Sequence, residues 1–270
     1  MLFNESIAYL ELQKTGCTHT KAILKKTLDA EAIGMHNTYD SIGKLPLDAF
    51  KTKTKIGNVR NPWDWYVSLW AYGCMGKGGL YKRLTENPNP ISVSGLRNLA
   101  GRMVQGEKLF NNTEEWKDLY KDGRDAIRFR QWLKKILLDN DFSLGEGYKE
   151  STIGKEVGFL TYRYILLFTY DAKKALQQLK HYNALADHDK ENNFIDIMIR
   201  NESIHDDLIK YADQIGCSKE DLKNVFKRFK KKRNKSEREG YDYYYDDETE
   251  QLVLEKEKFI IDKYGYSFKP

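Results

Sequence analysis

The chain has only three cysteines among its 270 residues, Cys17, Cys74 and Cys217, and they lie far apart in the sequence. This count argues against a disulfide framework and favours a reducing compartment. No apolar run approaches the roughly 20 residues that a membrane-spanning helix needs. The first residues also lack the basic and apolar regions of a signal peptide. We therefore expect a soluble cytoplasmic protein without a membrane span.

Neither sign of charge dominates the sequence, which has 45 Lys and Arg residues and 40 Asp and Glu residues, for a net charge of +5. Hydrophobic residues make up 40% and charged residues 31%, a balance typical of globular rather than disordered proteins. The small basic excess favours anionic ligands, and we expect no nucleic acid partner. No His, Cys or acidic cluster has the spacing of metal ligands, so we expect no metal.

Alternating strand and helix patterns near the start of the chain predict an α/β fold. Strands are expected at Ile7–Leu12, 31–35 and Lys55–Val59, and helices at 19–29 and Pro62–Tyr72. Strand–loop–helix repetition is typical of a parallel sheet covered by helices.

The rest of the chain is predicted to be rich in helices. The expected helices are Ala126–Leu138, Val157–Phe168, Ile204–Ile215, one that opens at Ser218, and Leu252–Tyr264, with a further strand at Phe194–Ile199. Residues 73–113 are rich in Gly, Asn, Pro and Lys and are expected to be an irregular insertion or lid. Since no linker is evident, we expect one domain over residues 1–270.

The loop between the first predicted strand and helix, Gln13-Lys14-Thr15-Gly16-Cys17-Thr18, suits an anion. A glycine with small polar neighbours can point several backbone N–H groups at one place, and the helix N-terminus adds positive potential. Lys14 can place its ammonium on a phosphate oxygen. The loop is not a Walker A motif, because that motif needs its lysine after the second glycine. The alternative is a capped helix beside a solvated lysine.

A second segment, Val59 to Ser68, follows another predicted strand. Arg60 stands at the strand end, and Ser68 comes eight positions later in the next helix. A guanidinium and a hydroxyl so arranged can converge on one phosphate. Asn61 and Pro62 between them are typical of a helix start.

Together the two segments resemble PAPS-dependent sulfotransferases of the bacterial, carbohydrate-directed type, where PAPS is 3′-phosphoadenosine 5′-phosphosulfate. That family has a Pro-Lys-Thr-Gly-Thr-Thr loop for the phosphosulfate and an arginine and serine for the 3′-phosphate. Gln13 here replaces the family's proline, and Cys17 replaces glycine or threonine. The resemblance implies a P-loop NTPase-like fold, with three αβα layers around a central parallel sheet.

The resemblance also implies transfer of a sulfuryl group from PAPS to a hydroxyl or amine of a small-molecule or glycan acceptor, without a metal. Lys14 is expected to offset charge on the leaving 5′-phosphate, while Arg60 and Ser68 hold the 3′-phosphate. His36 is the first candidate for the general base and Glu11 the second. The residues expected to donate hydrogen bonds to the phosphosulfate are Thr15, Gly16, Cys17, Thr18 and His19.

A basic run at residues 227–235 includes Arg233 and Lys235, which we expect to contact the nucleotide. The run is equally consistent with a solvated helix end or with attraction of an anionic acceptor. Two other functions stay open: a P-loop-type nucleotide or small-molecule kinase, and a non-catalytic anion-binding protein of the same fold.

Overall fold

The structure is a computed structural model, and it describes residues 1–34, 36–38, 50–229 and 238–269. The chain divides into two compact units. The first contains Met1–Asn61, Arg163–Lys173 and Asp187–Lys235, and the second contains Pro62–Tyr162, Lys174–Ala186 and Ser236–Pro270. The expectation of one domain over residues 1–270 stays a prediction.

The first unit carries a five-stranded mixed sheet in the order β3-β1-β2-β4-β5. The strands are β1 Leu2–Phe3, β2 Ile7–Tyr9, β3 Glu31–Ala32, β4 Thr54–Val59 and β5 Ile197–Arg200. β2, β4 and β5 run parallel, whereas β1 is antiparallel to both of its neighbours. The predicted α/β class is confirmed, but a purely parallel sheet is wrong at the β1–β3 edge. Only a short turn separates β1 from β2, and parallel strands would need a longer crossover.

Helices make up most of the remaining described chain. They are α1 Cys17–Thr27, α2 Pro62–Cys74, α3 Gly79–Thr85, α4 Val93–Val104, α5 Thr113–Leu119, α6 Ala126–Leu138, α7 Ile153–Glu156, α8 Phe159–Phe168, α9 Ala172–Gln178, α10 Tyr182–Asn192, α11 Ile204–Lys210, α12 Ala212–Ile215, α13 Lys219–Arg228, α14 Asp247–Lys256 and α15 Lys258–Tyr264. Short 3₁₀ turns lie at Asn201–Ser203 and Tyr241–Tyr244.

The core of the first unit lies between the sheet and the helices α1, α11 and α13. Its buried members include Ile56 of β4, Ile23 of α1 and Leu222 of α13. β4 is buried over nearly its whole length, as expected for a central parallel strand. Gly57 in its middle lies in a tightly packed place, because a Cβ there would be 3.1 Å from the Met198 and Phe168 side chains.

Several helix predictions are confirmed, and two are corrected. α6 has the predicted bounds, and Ser218 caps α13 by accepting hydrogen bonds from the N–H groups of Glu220 and Asp221. The predicted helix at 204–215 is divided into α11 and α12. The last predicted helix is divided at Glu257 into α14 and α15. Residues 73–113 contain α3 and α4 and so are not irregular throughout, and their predicted role as an insertion or lid stays a prediction.

The core of the second unit is dominated by aromatic side chains. Trp63, Trp65, Trp70, Trp116 and Trp132 are all fully buried. The indole N–H of Trp70 donates to the Leu119 carbonyl at 2.9 Å, and that of Trp132 donates to the Tyr120 hydroxyl at 2.8 Å. The tryptophans at 63, 65 and 70 are therefore packing residues, and the indole N–H groups of Trp63 and Trp70 are satisfied inside the unit.

A buried carboxylate holds the N-terminus of α8 in the second unit. Glu257 accepts the N–H groups of Leu160 at 3.0 Å and Thr161 at 2.9 Å, and the Thr161 hydroxyl at 2.6 Å. The Tyr66 hydroxyl also donates to it. Position 158 must be glycine, because a Cβ on Gly158 would lie 2.0 Å from the Glu257 Oε1. The carboxylate thus satisfies helix donors that would otherwise be orphaned, and it ends α14.

We expect Glu257→Gln to lower the free energy of unfolding by about 1–3 kcal/mol, because an amide cannot accept all these hydrogen bonds. Burial raises the pKa of Glu257 to about 7 in the folded state, whereas the pKa of an unfolded glutamate is about 4.3. Between these two pH values the folded state binds more protons than the unfolded state, so stability falls as pH rises. The wild type should therefore lose stability relative to the variant as pH rises from 5 to 7. Urea unfolding at both pH values measures this.

The control is Glu255→Gln, which alters an exposed carboxylate on the same helix α14. Equal costs for the two substitutions would contradict a structural role for Glu257.

Candidate functional site

The carboxyl ends of the three parallel strands lie at one edge of the sheet in the first unit. The loop Leu10–Gly16 follows β2, Arg60 and Asn61 follow β4, and the turn Asn201–Ser203 follows β5. In α/β sheets this edge is where ligands bind. The two segments singled out from the sequence both reach it.

The loop after β2 turns sharply at two residues with positive φ. Lys14 has φ 65° and Gly16 has φ 81°. Between them, the hydroxyl of the buried Thr15 donates to the Leu12 carbonyl at 2.6 Å. The Thr15 hydroxyl is therefore used inside the loop, so only its backbone N–H fits the predicted donor role.

Helix α1 begins directly after Gly16. The Gly16 carbonyl accepts the N–H groups of His19 at 2.9 Å and Thr20 at 3.1 Å. The His19 N–H therefore belongs to the helix ladder, and the predicted role of His19 at the phosphosulfate stays a prediction. The N–H groups of Cys17 and Thr18 precede the ladder and lie at the positive end of the helix. They are the donors that suit an anion.

The Cys17 side chain lies in the hydrophobic core of the first unit, beside Ile23 and Leu24. Burial raises the pKa of its thiol to about 11, so the thiol stays protonated at neutral pH. Cysteine at this position therefore packs into the core, with the N–H and hydroxyl of Thr18 beside its sulfur.

Gly16 is in close contact with the turn after β5. A Cβ on Gly16 would lie 2.6 Å from the Asn201 Oδ1 and 2.7 Å from the Ile204 Cδ1. Asn201 was missed by sequence reasoning, although its place directly after a parallel strand was a usable signal. The glycine is thus needed both for its φ and for this approach.

β4 ties the loop to the second motif. The Arg60 Nη1 donates to the Lys14 carbonyl at 2.8 Å. Deeper in the strand, the buried Asn58 amide donates to the Thr15 carbonyl at 3.3 Å and to the Thr20 hydroxyl at 3.1 Å. The guanidinium of Arg60 and the backbone of Lys14 therefore lie together, although the residues are 46 positions apart.

Glu202 is a second residue of the β5 turn that sequence reasoning missed. Its Oε1 accepts the Asn61 N–H at 2.9 Å, directly after Arg60. The turn thereby contacts both motifs, through Asn201 on the loop side and Glu202 on the β4 side.

The remaining predicted nucleotide contacts lie elsewhere in the chain. Ser68 is a buried residue of α2 in the second unit, and its predicted role in 3′-phosphate binding stays a prediction. Arg233 and Lys235 lie outside the residues that the structure describes.

His36 lies beside the end of β2. Its Nδ1 is 2.7 Å from the Glu11 carbonyl oxygen. Since a carbonyl only accepts, the proton sits on Nδ1, and Nε2 carries the lone pair that a base needs. Burial, with the positive charge of Arg163 as a lesser cause, lowers the pKa of His36 from its ordinary 6.5. The ring is therefore neutral at pH 7.

Glu11, the second candidate base, has its buried side chain in two ion pairs, and its predicted role stays a prediction. Its carboxylate is buried and paired with the Lys21 ammonium at 3.0 Å and with the Met1 amino group at 2.6 Å. Both contacts use the Glu11 Oε2, and they tie α1 to the start of the first strand.

A histidine pair lies next to the start of α1. The Nε2 atoms of His19 and His205 are 3.1 Å apart, so one ring donates to the other. The His205 ring is stacked on Phe226 with 4.0 Å between centroids. His19 thus joins α1 to α11 by its side chain.

In the described parts of the chain, none of the helices has the length and apolar character to cross a membrane. Within the same residues, no three His, Cys, Asp or Glu side chains form a group that fits a metal ion. The chain matches no protein-family model, no curated protein and no solved structure.

We expect Gly16→Ala to lower the free energy of unfolding by about 1–3 kcal/mol, because alanine is strained at positive φ and its Cβ meets Asn201. Asn201→Ala should relieve part of that cost, and a double-mutant cycle in urea measures the coupling.

The control is Gly106→Ala, at φ 69°, where an added Cβ meets no described atom within 4 Å. It isolates the conformational cost. A Gly16→Ala cost equal in both Asn201 backgrounds would contradict the packing explanation.

Proposed function

We propose that this chain is a PAPS-dependent sulfotransferase with a three-layer, P-loop NTPase-like sulfotransferase fold. The observation that carries the proposal is the 2.8 Å hydrogen bond from the Arg60 guanidinium to the Lys14 carbonyl. It joins the two segments whose sequences resemble the 5′- and 3′-phosphate sites of that family.

The chemistry of this edge suits a multiply charged anion. Lys14 and Arg60 supply two cations, and the N–H groups of Cys17 and Thr18 supply donors at a helix N-terminus. In the proposed complex Lys14 and these donors hold the phosphosulfate, and Arg60 holds the 3′-phosphate. Selection of a 3′-phosphate distinguishes PAPS from ADP and ATP.

In the proposed reaction, the His36 Nε2 removes the proton from the acceptor hydroxyl as its oxygen bonds to sulfur. The bond between sulfur and the bridging phosphate oxygen breaks, and the electron pair stays on the nucleotide. Lys14 stabilises that developing negative charge. A loose transition state makes positioning and charge stabilisation the main contributions of the protein, by analogy with phosphoryl transfer. A glycan hydroxyl is the proposed acceptor.

Binding of 3′-phosphoadenosine 5′-phosphate tests the nucleotide site. We expect the wild type to bind it more tightly than ADP in the absence of magnesium, and Arg60→Ala to weaken binding by about 10–100-fold, since a charge-assisted hydrogen bond contributes about 1.5–3 kcal/mol. Calorimetric titration measures both.

The matched control is Arg124→Ala, because Arg124 is an exposed arginine of the second unit. Equal affinity for ADP and the 3′-phosphorylated nucleotide would overturn the proposal. Tighter magnesium-dependent binding of ATP would favour the kinase alternative.

The role of His36 is tested by the pH dependence of sulfuryl transfer. We expect His36→Gln to lower kcat by about 10²–10⁴-fold with little change in KM for PAPS. Because the pKa of His36 is lowered, wild-type kcat should rise with pH below 6.5 and be level near pH 7.

His181→Gln is the control, since His181 is exposed and lies in the second unit. If His36→Gln keeps the wild-type pH profile, His36 is not the base. That result would not bear on the proposed nucleotide site.

A further inference from the structure

Helix α4 of the second unit turns its apolar side chains outward. The exposed fractions are 79% for Val93, 54% for Leu96, 67% for Met103 and 88% for Val104, and Ile91 just before the helix is 91% exposed. Val93, Leu96 and Met103 lie three and seven positions apart, which places them on one face. We call these five residues the α4 surface.

The buried residues of α4 are Gly95 and Arg102. Gly95 lies against the chain before the helix, because a Cβ there would be 1.8 Å from the Asn89 carbonyl oxygen. Arg102 is buried and donates to the Leu109 carbonyl at 2.7 Å and to the Asn98 side chain at 3.1 Å. The amphipathic pattern is thus inverted, since a surface helix normally faces its apolar stripe inward. An exposed apolar patch of this kind marks an interaction surface.

Side-chain hydrogen bonds join the two ends of the segment that contains α4. The Asn87 amide donates to the Asn111 carbonyl at 3.0 Å and accepts the Asn111 N–H at 2.8 Å, so it closes the loop that contains α4. Arg83 and the buried Glu107 form an ion pair beside it. The α4 surface is therefore presented on an anchored element.

The stretch of sequence that carries the α4 surface is basic. The 20 residues from Asn87 to Gly106 contain no Asp or Glu. From Met75 to Phe110 there are six basic and two acidic residues, and one of the acidic pair is the buried Glu107. This short region carries most of the chain's net charge of +5.

We propose that the α4 surface docks on a bilayer that contains anionic phospholipid. Its protruding apolar side chains fit the boundary between headgroups and acyl chains, and Arg97 and the lysines Lys77, Lys82 and Lys108 fit anionic headgroups. A second copy is disfavoured, because pairing two basic surfaces brings like charges together. The helix lies on the bilayer and does not span it. The inference is independent of the proposed sulfuryl transfer.

Vesicle co-sedimentation with the full chain tests the proposal. The wild type should bind vesicles that contain phosphatidylglycerol and phosphatidylcholine much better than vesicles of phosphatidylcholine alone. Val93→Ser combined with Leu96→Ser should lower the partition coefficient at least about tenfold, because several buried methylenes are lost. Arg97→Glu should lower it about tenfold, and added salt should weaken binding further.

The matched control is Ile127→Ser with Leu138→Ser, which removes two exposed apolar side chains from α6 of the same unit. Both double variants replace exposed residues, and circular dichroism checks that they fold. Binding that is equal for the two double variants, or equal for neutral and anionic vesicles, would overturn the proposal. So would a dimer formed without vesicles that Leu96→Ser dissociates, since the surface would then belong to a second copy.

Discussion

The parallel alignment of β2, β4 and β5 is the constraint on which the candidate site depends. It delivers three loops to the same sheet edge, and side chains then join them: Arg60 reaches the Lys14 carbonyl, and Asn201 packs on Gly16. Gly16 matters here because it permits both the left-handed turn into α1 and the approach of Asn201. Any shift of β4 relative to β2 would separate the guanidinium from the loop. The proposed anion binding therefore depends on the register of the strands, because the register places the charged side chains.

Local signals predicted the parts of this arrangement that depend on local physics. The strand before Arg60, the helix after Gly16 and the Ser218 cap all follow from short-range patterns of apolar, glycine and capping residues. The antiparallel β1 was not predicted, because two residues give too short a pattern. Asn201 and Glu202 were missed for another reason. Their place directly after a strand was a usable signal, but their partners lie more than a hundred positions away, and no local pattern identifies those partners.

Periodicity identifies a face of a helix, but it does not say which way the face points. The spacing in α4 would ordinarily indicate a core-facing stripe, whereas the structure buries Gly95 and Arg102 and exposes Val93 and Leu96. The division of the last helix has a similar cause. Glu257 fits the amphipathic pattern of 252–264, yet its carboxylate accepts the N–H groups at the start of α8, and helix α14 ends before Glu257. In both cases a polar group that needs buried partners overrides the hydrophobic pattern.

The two candidate bases, Glu11 and His36, also show how buried polar partners decide the role of a side chain. A carboxylate at the end of a parallel strand was a reasonable base, but Glu11 is paired with Lys21 and the Met1 amino group inside the protein. Both contacts use the Oε2 of Glu11, so its side chain is engaged within the protein. Its backbone carbonyl has a different effect: by accepting the Nδ1–H of His36 it fixes the tautomer that leaves Nε2 basic. Glu11 therefore acts on the proposed chemistry through its main chain, as a positioning residue for the histidine.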